Sequence, residues 1–253
     1  MIKAGVLEPV SPLITQPLGI MYLAAAARRA GHEVYLLDAK AQGLDAAAAI
    51  DRVERFAPDV VGVSGFTSEW ESFETIGALA RERMPRALLL GGGPHATSFP
   101  EEILQRTRFD YLVLGEGERT LIDVVEAADS GSDITAVPGL AYRGPDGIRF
   151  SEPRDKIADL DSVALPAYDL IDMEVYSRHF SASPIGRRRY MSVLTSRGCP
   201  YRCIFCHNIF GKRFRAKSPD AVMEELVLLR ERYGIRDIEI TDDSFNQDRD
   251  RAM

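Results

Sequence analysis

Cys199, Cys203 and Cys206 are the only cysteines of the 253-residue chain, and all three fall within the stretch TSRGCPYRCIFCHN, residues 195–208. The spacing Cys-x3-Cys-x2-Cys places three thiols on one short loop. Three thiolates so placed can each ligate a different iron of a cubane 4Fe-4S cluster, leaving the fourth iron open to a small molecule. Zinc is the competing metal and would need a fourth ligand. His207 is nearest, but it adjoins Cys206, and neighbouring residues rarely point at one metal. The spacing therefore favours a cluster over zinc or free thiols. An odd cysteine count cannot pair fully, and a reducing cytosol disfavours disulfides in any case.

The elements around this loop are legible. Residues 190–195 have strand texture, 219–233 helical texture, and 237–241 strand texture again. Upstream, apolar runs of strand length at 2–7, 33–37, 59–64, 87–91 and 111–114 alternate with helically spaced stretches at 19–30, 45–56, 69–84 and 118–128. That alternation predicts an α/β fold, a doubly wound, Rossmann-like parallel sheet covered on both faces. Such sheets bind ligands outside the carboxyl ends of their strands. The loops there run Glu8 to Pro12, Ser64 to Ser68, Gly91 to His95 and Gly115 to Glu118. Small residues admit a bulky ligand and hydroxyls offer hydrogen bonds, although the same residues also make tight turns. Ser64, Thr67, Gly92, Gly93, His95, Gly115 and Glu116 are the candidate contacts. A G-x-G-x-x-G turn after the first strand and a G-x-x-x-x-G-K-[ST] loop are both absent, which argues against an ordinary dinucleotide or P-loop domain.

Residues 131–189 lose the alternation. Pro and Gly accumulate, and LAYRGPDGIRF reads as a small hairpin turning at Pro145-Asp146-Gly147 within a connector. The expected organisation is a ligand-binding sheet domain over 1–130, the connector over 131–189, and a second α/β pattern over 190–253 that stops where another helix would begin. A net charge of -7 argues against a surface devoted to nucleic-acid phosphates, which leaves a small molecule as the expected partner. The first residues, MIKAGVLEPV, are too short an apolar run for a secretory signal, and no window reaches the length of a membrane span, so a cytoplasmic location is expected.

The string Ser196-Arg197-Gly198-Cys199-Pro200-Tyr201-Arg202-Cys203, with Phe205 before the last cysteine, resembles the radical S-adenosylmethionine (SAM) superfamily in its branch with an N-terminal cobalamin-binding domain. Pro17-Leu18-Gly19, Gly92-Gly93-Pro94-His95, Gly115-Glu116-Gly117-Glu118 and Asp242-Asp243-x-Phe245 extend the resemblance over nearly the whole chain. It implies that Cys199, Cys203 and Cys206 hold a 4Fe-4S cluster whose open iron is chelated by the methionyl amino and carboxylate groups of SAM. One electron, from a donor such as flavodoxin or ferredoxin, then yields methionine and a 5′-deoxyadenosyl radical that abstracts hydrogen from an unactivated carbon. The loops after the first, third and fourth strands would surround cobalamin. Residues 190–253 would open a TIM-like barrel.

Individual residues carry rival expectations. Phe205 stacks near the adenine or fills the barrel mouth. Asp242 or Asp243 meets ribose or substrate, or caps the next helix. His95 touches ligand or sits in a surface turn. Arg187 to Arg189 form a solvated face, and Met21, Tyr22 and Trp70 pack in the core or between domains. One relative of this domain class uses D-x-H-x-x-G after the first strand, its His ligating cobalt. Residues 8–16 contain no His, and Asp38-x-Lys40-x-x-Gly43 follows the wrong strand and is read as coincidence. Bound cobalamin would lack a His ligand from that loop, or the domain would be vestigial. Expected outcomes are C-methylation, a radical cyclisation or rearrangement without methyl transfer, or a corrinoid-binding module whose cluster loop is inactive. A barrel domain commonly needs about 200 residues or more. The chain is thus expected to be the N-terminal part of a longer enzyme, unable to turn over substrate alone.

Overall fold

The computed structural model describes residues 1–3, 14–181, 189–204 and 206–253. Strand β1 (Ile2–Lys3) is followed by helix α1 (Leu18–Arg29), in which Ile20, Met21, Ala24 and Ala27 recur at helical spacing and are buried. Next come β2 (Leu37–Asp38) and α2 (Ala46–Arg55), the latter begun by Asp45, whose side chain accepts a hydrogen bond from the Ala48 amide. Strand β3 (Val60–Ser64), a 3-10 turn (Thr67–Glu69) and α3 (Trp70–Arg83) follow. Then come β4 (Leu88–Gly92), the short helices α4 (Gly93–Ser98) and α5 (Pro100–Arg106), and β5 (Tyr111–Val113). Helix α6 (Glu118–Ser130) ends at Gly131, whose φ of 68° lets the chain turn away.

Strands β1 to β5 are parallel, in the order β2-β1-β3-β4-β5. The order reverses between β1 and β3, which is the switch point at which such sheets open a crevice. Strand β2 falls at Leu37–Asp38 rather than at 33–37, because as an edge strand it meets β1 only through Ile2↔Leu37 and Lys3↔Asp38. Tyr35 instead stacks on Phe56, ring centroids 5.6 Å apart. The hairpin forms as expected from β6 (Leu140–Gly144) and β7 (Gly147–Phe150), but it does not stand apart in a connector. β6 pairs antiparallel with β5 and extends the sheet to seven strands, with Leu140 and Ala141 fully buried. Without it, β5 would present an open edge.

After the short helix α7 (Met173–Ser177), a second unit begins with β8 (Tyr190–Val193), β9 (Ser196–Arg197) and β10 (Arg215–Ala216). Helix α8 (Pro219–Tyr233) carries Ser218 as N-cap, Pro219 in its first turn and Gly234 at φ 65° after its end. It leads to β11 (Asp237–Ile240) and the terminal turn α9 (Arg249–Ala252). β8 and β11 pair in parallel from Tyr190↔Asp237 to Val193↔Ile240, so β8-α8-β11 is one βαβ unit. No helix among the described residues is long and apolar enough to cross a membrane.

Helix α1 joins the two units. Its Ile20, Met21 and Ala24 share a core with Tyr168, Met173, Met191, Val193 and Leu229, while Leu23 packs against the cluster containing Leu90, Val113 and Leu121. Met21 and Tyr22 are thus packing residues between units, as the sequence implied. Trp70 differs: it is half-buried under Arg106, whose guanidinium carbon lies 4.8 Å from its ring. Met21 is fully buried, so Met21→Ala is expected to cost about 2–5 kcal/mol through the cavity it leaves. Urea unfolding followed by circular dichroism checks this; an unchanged midpoint would refute the shared core.

Candidate cofactor site

The cysteines lie on the loop between β9 and β10, which pair antiparallel through Arg197↔Arg215 and Ser196↔Ala216. The loop is drawn back on itself by backbone bonds, Cys199 N to Gly211 O (3.4 Å) and Cys206 N to Cys203 O (3.2 Å). Gly198 is indispensable there. Its φ is +86°, and a Cβ would fall 2.4 Å from the Arg213 carbonyl oxygen. None of the three thiols is in a disulfide; Cys199 is half-buried, and Cys203 and Cys206 are exposed. Among the described residues, no His, Cys, Asp or Glu group is gathered tightly enough to hold an ion by itself.

The donor set tests which metal fits. Three sulfurs share the loop, and the nearest imidazole is engaged elsewhere, His207 Nε2 lying 3.2 Å from Asp243 Oδ1. A tetrahedral zinc site would therefore want a fourth ligand among the described residues, whereas a cubane with one open iron would not. Three thiolates fit the cluster.

The end of β11 braces the start of this loop. Asp242 accepts hydrogen bonds from Thr195 N, Thr195 Oγ1 and Ser196 Oγ, each at 2.6 Å. Asp243 Oδ2 accepts from Gly198 N at 3.2 Å. Of the two expectations for Asp242, helix capping does not apply, since Asp248 begins α9; both its oxygens accept from the β8–β9 corner. Arg251 adds Nε to Lys217 O (2.9 Å) and Nη2 to Thr195 O (2.8 Å).

The N-terminal sheet grips the same hairpin from its other side. Glu116 meets Arg215 in a two-point pair, Oε1 to Nη2 at 2.6 Å and Oε2 to Nη1 at 3.1 Å, and Oε2 also accepts from Ile157 N at 2.8 Å. Glu118 Oε1 lies 2.6 Å from Arg197 Nη2, and Arg197 Nη1 is 3.7 Å from Glu116 Oε1. All four side chains are buried. The Arg197 guanidinium is flanked by the rings of Tyr22 and Phe210, at 5.1 and 5.3 Å. Burial works against its charge, but the Glu118 and Glu116 carboxylates outweigh it and hold the pKa above the ordinary arginine value. Glu116, expected as a cofactor contact, is in this structure the counter-ion of Arg215 and the acceptor for the Ile157 amide. A second buried pair continues the network: Lys217 Nζ donates to Glu225 Oε2 at 2.6 Å and to Tyr22 Oη at 3.3 Å, and Tyr168 donates to Glu225.

The other predicted contacts line the carboxyl edge of the sheet. Ser64 ends β3, exposed Thr67 sits in the following turn, and Gly92 ends β4. Gly93, at φ +85°, has no room for a side chain: a Cβ would lie 2.5 Å from Ser64 Oγ and 3.2 Å from Gly65 O. Gly115 donates its amide to Thr97 Oγ1 at 3.0 Å, and a Cβ on it would strike Lys156 Nζ at 2.5 Å. Lys156 Nζ in turn donates to Ile209 O of the cysteine loop at 2.6 Å, and burial pushes its ammonium below the ordinary lysine value. A glycine- and hydroxyl-lined edge of this kind fits a large planar ligand lying close to backbone.

Two residues fall elsewhere. His95 is no surface turn: it is 6% exposed, in α4, with its ring 5.7 Å from both Phe73 and Phe99. Burial lowers its pKa, and its Nδ1 has no hydrogen-bond partner. Asp38 accepts from Ala41 N and from Tyr176 Oη, both at 3.0 Å, and Lys40 pairs with Glu69 at 3.2 Å, so Asp38-x-Lys40-x-x-Gly43 is a local turn. Phe205, residues 8–12 and Arg187-Arg188 lie outside the described residues.

Known proteins bear on this geometry. The sequence profile of the B12 binding domain matches residues 8–125, and that of the Radical SAM superfamily matches residues 193–253. The chain belongs to the B12-binding branch of the radical SAM superfamily. An uncharacterized methyltransferase of Pyrococcus horikoshii is 35% identical over 240 residues, spanning 94% of this chain and 50% of that protein. An anaerobic magnesium-protoporphyrin IX monomethyl ester cyclase of Synechocystis sp. is 30% identical over 232 residues, spanning 90% of this chain and 45% of that protein. The chain thus spans about half the length of these curated relatives. The solved structure of the cobalamin-dependent SAM radical enzyme OxsB, with aqua-cobalamin and SAM bound, superposes with a TM-score of 0.80 at 22% identity, covering 96% of this chain and 33% of that one. It shares the fold.

The sequence singles out the three cysteines and the glycine-rich edge loops but does not show that Arg197, Arg215, Glu118, Lys217 and Glu225 form a network. Their only local signal is the alternation of Arg213, Arg215 and Lys217 beside an acid-free loop. Gly198→Ala is expected to cut iron uptake on anaerobic reconstitution by at least about tenfold, because the displaced Arg213 carbonyl opens the turn that presents Cys199. Iron counting on the purified variant checks this; wild-type uptake would show that the turn has other solutions.

Proposed function

We propose that this chain forms the cobalamin-binding domain and the opening of the catalytic barrel of a cobalamin-dependent radical SAM enzyme, acting in C-methylation of a small molecule. The sheet domain is assigned to residues 1–130, joined by the hairpin β6–β7 that docks on it from the connecting segment 131–189, and the barrel portion to 190–253. A cytoplasmic location and an electron donor of the flavodoxin or ferredoxin type belong to the same reading. The observation that carries it is the cysteine loop, with three thiols and no fourth protein ligand among the described residues, held against the glycine-lined carboxyl edge of a sheet of cobalamin-binding type.

When bound, the cofactors supply an electron that cleaves SAM to methionine and a 5′-deoxyadenosyl radical, together with a cobalt centre that carries the methyl group. The chain's own residues supply placement. Cys199, Cys203 and Cys206 provide the thiolates. Gly198, Asp242 and Asp243 fix the turn that presents them. Gly92 and Gly93 with the Ser64 and Thr67 hydroxyls leave the sheet edge low and polar, where corrin and tail would lie, and Gly115 makes room for Lys156 to reach the cysteine loop. Phe205 is assigned to the adenine face on the strength of its place beside Cys206. His95 acts from behind, packing α4 so that the backbone of Gly92 and Gly93 forms the edge.

Methyl transfer is favoured by the relative at 35% identity, and radical cyclisation by the one at 30%. Anaerobic reconstitution with iron and sulfide, followed by hydroxocobalamin and desalting, tests the cofactor assignment. Four irons and one cobalt per chain are expected, with the iron lost and the cobalt retained on Cys203→Ala. Bound zinc, or iron that survives Cys203→Ala, would overturn the cluster assignment; iron without cobalt would overturn the cobalamin assignment.

A further inference from the structure

Six buried charges, three of each sign, run between the two units: Glu116, Glu118 and Glu225 against Arg197, Arg215 and Lys217. Two of the cations occupy a special place. Arg197 and Arg215 face one another across the β9–β10 ladder, so they form the base of the hairpin whose loop carries the cysteines. Arg197 pairs with Glu118 and lies near Glu116, and Arg215 pairs with Glu116; the two acids stand between β5 and the first turn of α6 and belong to the other unit. Residues 198–214 between them contain no acid at all. Asp242 and Asp243 approach the loop from the end of β11, but the counter-ions of Arg197 and Arg215 are contributed by the sheet domain, and no residue of the loop can replace them.

We propose that Glu116 and Glu118 are positioning residues for the iron-sulfur site: through Arg215 and Arg197 they set where the cysteine hairpin stands on the sheet edge, and their negative charges help set the potential at which that site takes up an electron. The inference rests on the cluster reading above. Its physical basis is that buried charges interact through a medium of low effective dielectric, and that a cluster's potential follows the net charge around it. Cys199 is two residues beyond Arg197, within about 7 Å along the backbone. Reduction adds a negative charge to the cluster. An uncompensated Arg197 would favour that state, and an uncompensated Glu118 would oppose it.

Opposite substitutions must then act with opposite sign, which mere loosening of the fold would not produce. In the reconstituted protein, an electron paramagnetic resonance redox titration is expected to give a higher midpoint potential for Glu118→Gln than for wild type, and a lower one for Arg197→Gln. Shifts of the same sign, or no shift in either variant, would overturn the proposal. A second measurement stands without any cofactor. In the metal-free chain, Glu118→Gln is expected to speed hydrogen exchange of the amides in residues 198–214 at least tenfold while those of β3 and β4 stay unchanged. Unchanged exchange in 198–214, or a general rise that includes β3 and β4, would equally overturn it. Failure of the wild-type chain to take up iron would instead count against the cluster reading, leaving the exchange result to decide the placement.

Discussion

Two acid side chains from one unit and two arginines from the other make the interaction on which the rest depends. Glu116 and Glu118 leave the sheet just after β5, and Arg197 and Arg215 leave the cysteine hairpin at its base. Burying four charges is expensive, and an apolar interface of equal volume would often be as stable. What the charged arrangement provides is direction. A guanidinium and a carboxylate meet in one plane with two donors facing two acceptors, so the pair fixes orientation as well as distance. Removing one partner would strand a buried charge at a cost of about 3–5 kcal/mol, which makes a shifted or rotated hairpin unfavourable.

The remaining features complete that geometry from other sides. Asp242 and Asp243 tie the hairpin to β11, and Arg251 adds two bonds to carbonyls at its base. Helix α1 lies between the units and offers Tyr22 both to Arg197 and to Lys217. Gln16 reaches across from the segment before α1, donating to Tyr190 O at 3.0 Å and accepting from Ser192 N at 3.1 Å. The cysteine loop itself is held by backbone turns, a required glycine and side-chain bonds from Lys156, Arg215 and Asp243. Rigidity sits around the loop, and chemistry sits at its tip.

How much of this the sequence disclosed follows the range of each interaction. Cysteine spacing and the helical stretches beginning at 45 and 219 are local and legible in the sequence. Strand-helix alternation placed the parallel strands, since buried strands must be apolar. The pairs that matter most join residues 79 and 99 positions apart, Glu118 with Arg197 and Glu116 with Arg215, and no local pattern announces them. Glu116 and Asp242 read as ligand contacts because acids in edge loops often are; that they also bond Arg215 and the β8–β9 corner depends on neighbours no local pattern announces. His95 looked like a turn residue because Gly and Pro precede it, but β4 runs on to Gly92 and α4 begins at Gly93, which carries the ring inward. The hairpin was recognised from Pro145-Asp146-Gly147, while its docking onto β5 depends on an edge that only the assembled sheet presents.

In the proposed enzyme both cofactors meet at one edge, with the cysteine hairpin clamped over the sheet. The most direct measurement is electron paramagnetic resonance of the chain loaded with both a reduced cluster and cob(II)alamin, set against samples loaded with one alone. The account predicts mutual broadening and faster relaxation of the cob(II)alamin signal, because two paramagnets held on the same edge couple through space. Two signals that simply add, each identical to its singly loaded counterpart, would contradict it.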